Sequence, residues 1–216
     1  MQAFYFLFFF SVVLNVNAQH SNLMLGISYS SNFNQLVYDE DLNFHTSFKP
    51  ILKSDLSFDI HSILKSHTQS DYSNWYLRKI FSEHFFLLKG DDYRVFASPI
   101  INFTLGKEFV EERNTLTNTR GFIVEGDLGK KISFFSSFAE NQSIFPNYID
   151  AHIRDNRVVP GQGYARYFKE TGFDYAMSSG YVSYRANKMF AVQFGHGNHF
   201  IGDGYRSLLL SDNSFN

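Results

Sequence analysis

Two neighbouring stretches of this chain alternate apolar and polar residues with a period of two, the pattern of a β-strand with one apolar and one polar face. In residues 120–129 the alternation sets apolar side chains against carboxylates: Phe122, Val124 and Leu128 against Glu125 and Asp127. A turn at residues 127–130 leads into residues 131–139, whose apolar positions again share one face: Ile132, Phe134 and Phe138. The two stretches therefore predict an antiparallel hairpin that is apolar on one side.

A second pair of stretches, residues 173–185 and 188–196, repeats this alternation on either side of Ala186-Asn187. The residues predicted to share a face are Val182 and Tyr184 in the first strand, and Phe190, Val192 and Phe194 in the second. A shorter hairpin is predicted where residues 84–89 and 93–97 flank the turn signal Gly90-Asp91-Asp92. Consecutive hairpins of this kind indicate an all-β, antiparallel protein.

The composition narrows the class of β protein. Aromatic residues make up 19% of the 216 residues, with 26 Phe and 13 Tyr, yet the mean hydropathy is only -0.22. This combination argues against a helical membrane protein and is typical of an outer-membrane barrel, where lipid-facing and lumen-facing residues average out along each strand. The absence of cysteine excludes a disulfide scaffold, a thiolate metal site and a lipoprotein anchor. A net charge of -2 argues against nucleic acid as a partner.

The N-terminus has the pattern of an export signal. Residues 4–14 form an apolar run too short to span a bilayer, and Val16-Asn17-Ala18 fits a signal-peptidase site. We expect cleavage after Ala18, and hence export. The alternative is a buried hydrophobic first strand. Beyond this point no run approaches the roughly 20 apolar residues that a membrane-spanning helix needs.

Residues 19–90 show a mixed pattern, with a short strand predicted over Leu23–Tyr29 and a helical turn around Pro50. The strongest helical pattern covers residues 71–84, with Asp71 or Ser73 available as the N-cap. Its predicted apolar face has helical spacing: Tyr72, Trp75, Tyr76 and Ile80. This segment therefore predicts a small helical part ahead of the strands.

Residues 140–171 are polar, carry Pro and Gly, and show no period. They predict a long loop, which in a barrel either protrudes at the extracellular rim or folds into the lumen. Its aromatic and arginine residues could stack on sugar rings and pair with acidic groups of a polysaccharide. The candidates for polysaccharide binding are Tyr148, Arg154, Arg157, Tyr164, Arg166 and Tyr167. The alternative role for such residues is packing of the loop onto the barrel rim.

The stretch from Gln193 to Ser207 has four glycines, two histidines, an aspartate and an arginine, and it runs on through Leu208–Leu210 to Asp212. On a strand the two histidines point to opposite faces, so no metal site is predicted, and no strand-to-helix transition supports a phosphate loop. We expect a structural signature in which glycines permit bends or bulges and Asp203 pairs with Arg206. The signature residues are Gly195, His196, Gly197, His199, Gly202, Asp203, Gly204 and Arg206.

The chain lacks the usual signs of an enzyme. It has no Gly-x-Ser-x-Gly elbow and no cysteine nucleophile. The carboxylate pairs Asp91-Asp92 and Glu111-Glu112 are adjacent in sequence and not set to face each other across a cleft. We therefore expect a protein without catalytic residues, cofactor or metal.

An ordered series of motifs resembles the Wzi-like capsule-assembly family, and most of all its RemB branch of gliding-motility proteins. The motifs are Asn118-Thr119-Arg120-Gly121, Phe138-Ala139-Glu140-Asn141-Gln142, Pro160-Gly161-Gln162-Gly163, Ser179-Gly180-Tyr181-Val182-Ser183-Tyr184, Phe194-Gly195-His196-Gly197, and the run from Phe200 to Asp212. The resemblance implies a monomeric outer-membrane β-barrel of many strands with a small helical periplasmic part. It further implies a role in attaching polysaccharide to the surface of a Gram-negative cell, with a contribution to gliding. The partners implied are outer-membrane lipid, surface polysaccharide and other surface or motility proteins.

Together these features predict a signal peptide at 1–18, a mixed or helical periplasmic segment at 19–90, and the first strands of a barrel at 91–216. Because a closed barrel needs about eight strands or more and the chain ends soon after the apolar run Leu208–Leu210, we expect an incomplete transmembrane barrel. The alternative is a secreted, soluble β-sandwich acting as a carbohydrate-binding module or adhesin. In that case we expect the apolar faces of the two long hairpins to pack against each other. An outer-membrane hydrolase would need catalytic groups outside this sequence.

Overall fold

The computed structural model describes residues 22–23, 25, 47–52, 73–81, 83–187, 189–204 and 206–211. The predicted signal peptide and most of the predicted strand Leu23–Tyr29 lie outside the described residues. The strands are β1 (Phe48–Lys49), β2 (Phe86–Lys89), β3 (Tyr93–Glu108), β4 (Arg113–Leu128), β5 (Ile132–Ile144), β6 (Val158–Val159), β7 (Gly163–Phe168), β8 (Gly172–Arg185), β9 (Ala191–His196) and β10 (Phe200–Ile201). The helices are α1 (Trp75–Phe81) and α2 (Asn147–Asn156). No helix in the described ranges is long and apolar enough to cross a bilayer.

Strands β2 to β9 form one antiparallel sheet in the order β2-β3-β4-β5-β8-β7-β6, with β9 also paired to β8. Since β5 pairs along one edge of β8, strands β7 and β9 share its other edge, β7 near the start of β8 and β9 near its end. The sheet is open, with β2 and β6 at its two limits. The prediction of an all-β, antiparallel protein is confirmed, and besides the N-terminal helix α1 a second helix, α2, lies between β5 and β6.

The connections divide the sheet into two ends. Residues 90–92, 129–131 and 186–190 link neighbouring strands at one end, which we call the turn end. At the opposite end lie the β3–β4 turn at residues 109–112 and the connection from β5 to β8, which contains α2. We call this the helix end. Within the described sheet, the long connection from β5 to β8 thus lies at the helix end, beside a turn of four residues.

The predicted hairpins are confirmed. Strands β3, β4 and β5 are longer than the alternation indicated, whereas β2 and β9 are shorter. β4 and β5 pair from Leu128↔Ile132 to Leu116↔Ile144, and β8 and β9 pair from Arg185↔Ala191 to Gly180↔His196. β9 begins at Ala191, so Phe190, which the prediction placed within the strand, lies in the turn instead. The hairpin around Gly90 is also present, and its first strand β2 joins the sheet. The sheet therefore begins at Phe86.

One face of the sheet, which we call the apolar face, exposes large hydrophobic side chains across six strands. Two neighbouring rows illustrate it, because residues paired in register share a face. The rows are Tyr93, Leu128, Ile132, Tyr184 and Val192, and next to it Leu88, Val95, Gly126, Phe134, Val182 and Phe194. Phe194 is 86% exposed and Val182 is 51% exposed. The face assignments predicted for β4, β5, β8 and β9 follow this register.

The opposite face, which we call the polar face, carries a hydrogen-bonded row between those two apolar rows. Arg94 donates to Asp127 at 2.9 Å, and the hydroxyl of Ser133 donates to the same carboxylate at 2.6 Å. Nearer the helix end, Thr119 donates to Asn141 at 2.7 Å. Both members of that pair are buried. The polar face is thus the better covered side of the sheet, although aromatic side chains also lie on it.

A small second unit lies where the two ends of the described chain meet. β1 pairs with β10, and Leu23 donates its backbone N–H to Ile51 at 2.8 Å. The backbone N–H of Asn22 donates to the Tyr181 hydroxyl of β8 at 2.7 Å, which ties this unit to the polar face. Residues 47–52 contain no helical turn, although one was predicted around Pro50. Pro50 lies in a bend between β1 and a bridge at Leu52.

The helix predicted over residues 71–84 is present but shorter, as α1. Asn74 supplies the side-chain oxygen that accepts the N–H of Tyr76 at 3.1 Å. Of the predicted N-caps, Asp71 lies outside the described residues, and Ser73 lies in a bend before the helix. Trp75 and Tyr76 stack with ring centroids 3.8 Å apart, and both are more than half exposed.

The prediction of a long loop over residues 140–171 is wrong. Residues up to Ile144 extend β5, and the rest of the segment contains α2, β6 and β7. Its polar residues obscured a helix that contributes only two isoleucines to the apolar cluster, Ile149 and Ile153, four positions apart. The segment is therefore an ordered connection, and it packs on the sheet.

Candidate functional site

Helix α2 begins where the chain leaves β5 and is held at both ends. Pro146 precedes it with an extended backbone, and the first backbone N–H, that of Asn147, donates to the carboxylate of Glu108 at 3.0 Å. An acidic group at this position accepts a hydrogen bond from a backbone N–H that has no partner within the helix. Its negative charge also interacts favourably with the positive end of the helix dipole. At the other end Arg157 adopts a left-handed conformation and donates its N–H to the carbonyl of Ile153 at 2.7 Å.

The buried side of α2 lies on the polar face of the sheet. Ile153 is completely buried, and Phe145 and Ile149 pack against the same cluster. The other members of this cluster come from β6, β7 and β8: Val159, Ala165, Phe173 and Tyr175. Burial of these apolar side chains supplies most of the driving force that holds α2 in place. The helix therefore covers the polar face at the helix end of the sheet.

A buried carboxylate lies at the centre of this site. Asp150 accepts a hydrogen bond from Arg113 of β4 at 2.7 Å, and Arg154, one turn later in α2, donates to the same carboxylate. Burial would raise the pKa of Asp150, but the hydrogen bonds from Arg154 and Arg113 outweigh it and hold the pKa below its usual range. The hydrogen bond to Asp150 also raises the pKa of Arg154. Asp150 is thus ionised at neutral pH and serves as an anchor for two guanidinium groups.

Two arginines converge on one tyrosine ring beside this carboxylate. The guanidinium carbon of Arg157 lies 4.5 Å from the ring centroid of Tyr167, and that of Arg154 lies 5.5 Å from it. Arg154 also lies 5.5 Å from the ring of Phe173. Such cation–π contacts fix the guanidinium planes while leaving their N–H edges available. Tyr167 itself is 46% exposed.

The structure brings together three of the six residues predicted to bind polysaccharide: Arg154, Arg157 and Tyr167. Tyr148 lies in the first turn of α2 and is 73% exposed. Tyr164 and Arg166 alternate with Ala165 and Tyr167 along β7, so they lie on the apolar face. The six candidates therefore do not form one surface.

Residues that the sequence pattern did not single out complete the site. Arg113, Glu108 and Asp150 tie α2 to the β3–β4 hairpin, and Arg113 also donates to the carbonyl of Thr171 at 3.0 Å. The spacing of Asp150 and Arg154, one helical turn apart, is the sequence signal that could have found part of this arrangement. The contribution of Arg113 depends on tertiary structure alone.

The glycine-rich signature has structural contacts. Gly195 lies in β9, where an added Cβ would meet the carbonyl oxygen of Gly180 at 2.3 Å. Gly202 has a φ of 142°, a conformation that other residues rarely adopt. Oδ1 of Asp203 lies 3.8 Å from Nζ of Lys49 in β1. The prediction had paired Asp203 with Arg206.

The remaining signature residues lie around these two positions. His196 ends β9 in the register of the apolar face, opposite Gly180. His199 lies beyond β9, with its ring 6.3 Å from that of Phe48. Gly197 has no heavy atom within 4 Å of an added Cβ, and at Gly204 the nearest atom is 3.6 Å away. Both positions therefore have room for a methyl group. Within the described ranges, no group of three or more histidine, aspartate or glutamate residues could hold a metal ion.

The partly exposed Tyr167 ring offers a stacking surface, and the guanidinium groups beside it are donors suited to charge-assisted hydrogen bonds with acidic groups. Comparisons of the chain with protein-family models, with curated proteins and with solved structures give no match.

Proposed function

We propose that the chain forms strands of an outer-membrane β-barrel that binds or anchors surface polysaccharide at its helix end. The observation that carries the proposal is the apolar face. It exposes large hydrophobic side chains in β2, β3, β4, β5, β8 and β9, while its reverse is polar and hydrogen-bonded. A monomeric soluble protein rarely exposes so extensive an apolar surface, whereas a barrel in lipid requires one.

The asymmetry of the connections supports the same proposal. Outer-membrane barrels have short turns on the periplasmic side and longer connections outside. The turn end of the sheet has links of three to five residues at 90–92, 129–131 and 186–190, and the helix end carries the connection with α2. In the proposed orientation α2 and its arginines lie at the extracellular mouth on the lumen side. Closure into a barrel requires strands in addition to the described sheet, because an open edge is not tolerated in lipid.

The soluble β-sandwich is the alternative, and the geometry favours it less. In a sandwich the apolar faces of the β4–β5 and β8–β9 hairpins would cover each other. Both hairpins lie in the same sheet with their apolar residues on the same side. Phe122 and Phe194, one from each hairpin, are 49% and 86% exposed.

The absence of cysteine allows a direct test of membrane embedding. Single substitutions Phe194→Cys and Gln193→Cys place a thiol on opposite faces of β9 at adjacent positions. In intact outer membranes we expect a water-soluble maleimide to label Gln193→Cys and to spare Phe194→Cys, with both labelled after denaturation. Equal labelling of the two variants, or recovery of the protein from the soluble periplasm, would overturn the proposal.

Polysaccharide attachment is tested in cells that lack the gene. We expect them to make the same total amount of surface polysaccharide as the parent but to release it into the medium, and the full-length gene to restore retention. Gliding speed on agar is measured in parallel, since attached polysaccharide would contribute to gliding. An unchanged cell-bound fraction would contradict the attachment role.

A further inference from the structure

We infer that Arg157, stacked on Tyr167, is a binding residue for the anionic groups of an acidic polysaccharide. This inference rests on the proposed function and names the ligand class for its site. It starts from the different surroundings of the two arginines that share the Tyr167 ring.

Among the described residues, a carboxylate pairs with Arg154 and none pairs with Arg157. Arg154 donates twice to Asp150, which is buried and ionised, and once to the carbonyl of Glu170 at 3.3 Å. In the part of the chain that the structure describes, no ion pair joins Arg157 to a carboxylate. Arg157 therefore keeps its positive charge and its N–H donors available for a ligand.

The position of Arg157 is fixed by its backbone. Its N–H donates to the carbonyl of Ile153 at 2.7 Å, and its own carbonyl accepts the N–H of Ala165 at 2.9 Å. With the backbone held from both sides and the guanidinium 4.5 Å from the Tyr167 ring, the side chain loses little further freedom when a ligand binds. A planar guanidinium in such a fixed position suits the two oxygens of a carboxylate or phosphate.

The backbone conformation also points to a role of the side chain. Arg157 has φ 58° and ψ 23°, the left-handed region that favours glycine or asparagine after a helix. Arginine has no conformational advantage there, so replacement by asparagine should suit the backbone at least as well. The structural role of this position can thus be separated from the role of its charge.

The location distinguishes a polysaccharide from a lipid headgroup. Arg157 follows α2, whose buried side packs on the polar face of the sheet, and its partner Tyr167 lies on that same face. The surface proposed to contact lipid is the opposite one. Tyr167 is 46% exposed, so its ring can also contact a sugar ring beside the anionic group.

The experiment measures binding of two soluble polymers to the full-length protein in detergent micelles: polygalacturonate as the acidic probe and dextran as the neutral probe. We expect the wild-type protein to prefer polygalacturonate. Arg157→Gln should weaken binding of polygalacturonate about tenfold, the effect of one charge-assisted hydrogen-bonded pair, and leave dextran unchanged. Arg120→Gln, which removes an exposed arginine from the apolar face, is the matched control and should change neither affinity more than about twofold, as expected for a weakly paired surface charge.

A second variant excludes an indirect effect on folding. Arg157→Asn should lose the same affinity for polygalacturonate while its unfolding temperature stays equal to or above that of the wild type. Unchanged polygalacturonate binding by Arg157→Gln, an equal loss for both polymers, or no binding of polygalacturonate by the wild type would each overturn the inference. In any of these three cases, the proposed function would still hold if the wild-type protein binds dextran and if cells need the gene to retain their polysaccharide.

Discussion

Asp150 of α2 accepts a 2.7 Å hydrogen bond from Arg113, the first residue of β4 and 37 positions earlier in the chain. The carboxylate is buried, and Arg154 holds it from the other side. The hydrogen bond from Arg113 fixes α2, a helix of ten residues, to the β3–β4 hairpin. Strand β5 lies between the two in the chain. Isolated helices of this length are marginal in water, so this contact and the apolar cluster around Ile153 decide whether α2 forms.

Asp150→Asn should destabilise the protein by about 3 kcal/mol, because it leaves two guanidinium groups without their buried counter-charge. Urea unfolding of the full-length protein in micelles measures the change. Asp155→Asn, an exposed substitution on the same helix, is the control and should stay within about 0.5 kcal/mol of the wild type. Equal stability of the two variants would show that the ion pairs do not hold α2.

The contribution of Asp150 should depend on pH in a defined direction. Its pKa is lower in the folded protein than the ordinary value of about 3.9 for an unfolded chain. The stabilisation is therefore complete above the unfolded pKa and is lost as the pH falls through the folded one. The difference in unfolding free energy between the wild type and Asp150→Asn should stay constant from about pH 6 to 8 and shrink below about pH 4. A difference that grows on acidification would contradict the pairing.

Strand positions could be predicted from sequence because alternation is a local property. Alternate residues of a strand point to opposite faces, so Phe122 and Val124 on one face place Glu125 and Asp127 on the other. The residues of β5 that pair with them lie on the same faces as their partners. Strand length was underestimated, since Arg113 to Thr119 carry mostly polar side chains and show no apolar alternation. In the sheet all of these residues pair with β3, and those from Leu116 onward also pair with β5.

Helix α2 could not be predicted in the same way. Its apolar pattern consists of Ile149 and Ile153 in a background of charged and polar residues, and tertiary contacts to Arg113 and Phe173 stabilise it. The candidate binding residues were named from composition alone, so the sequence could not separate the stacked group of Arg154, Arg157 and Tyr167 from Arg166 on the other face. That separation depends on the register of β7 with β8.

The glycines of the signature should differ in their tolerance of alanine. At Gly195 an added Cβ would lie 2.3 Å from the carbonyl oxygen of Gly180 and 2.6 Å from Cα of Tyr181. These are backbone atoms and cannot move without separating β8 from β9. Gly197 has no heavy atom within 4 Å of an added Cβ.

We therefore expect Gly195→Ala to lower the unfolding free energy by about 2 kcal/mol or more, as overpacking does, and Gly197→Ala to change it by less than about 0.5 kcal/mol. Thermal unfolding of the two full-length variants in micelles gives the comparison. If both variants match the wild type, the close approach of β9 to β8 at Gly195 is not present in solution.

Arginine substitutions along β9 should report the depth of each position in lipid. Phe194 lies one row farther from the turn end than Val192, and Gln193 between them belongs to the polar face. On the lipid side of a barrel, arginine costs about 2–4 kcal/mol at the bilayer midplane and about 0–1 kcal/mol near the interface. Phe194→Arg should therefore reduce the folding free energy in phospholipid vesicles more than Val192→Arg, and Gln193→Arg should reduce it least. An order in which Gln193→Arg is the most harmful would mean that the polar face, and not the apolar face, contacts the lipid.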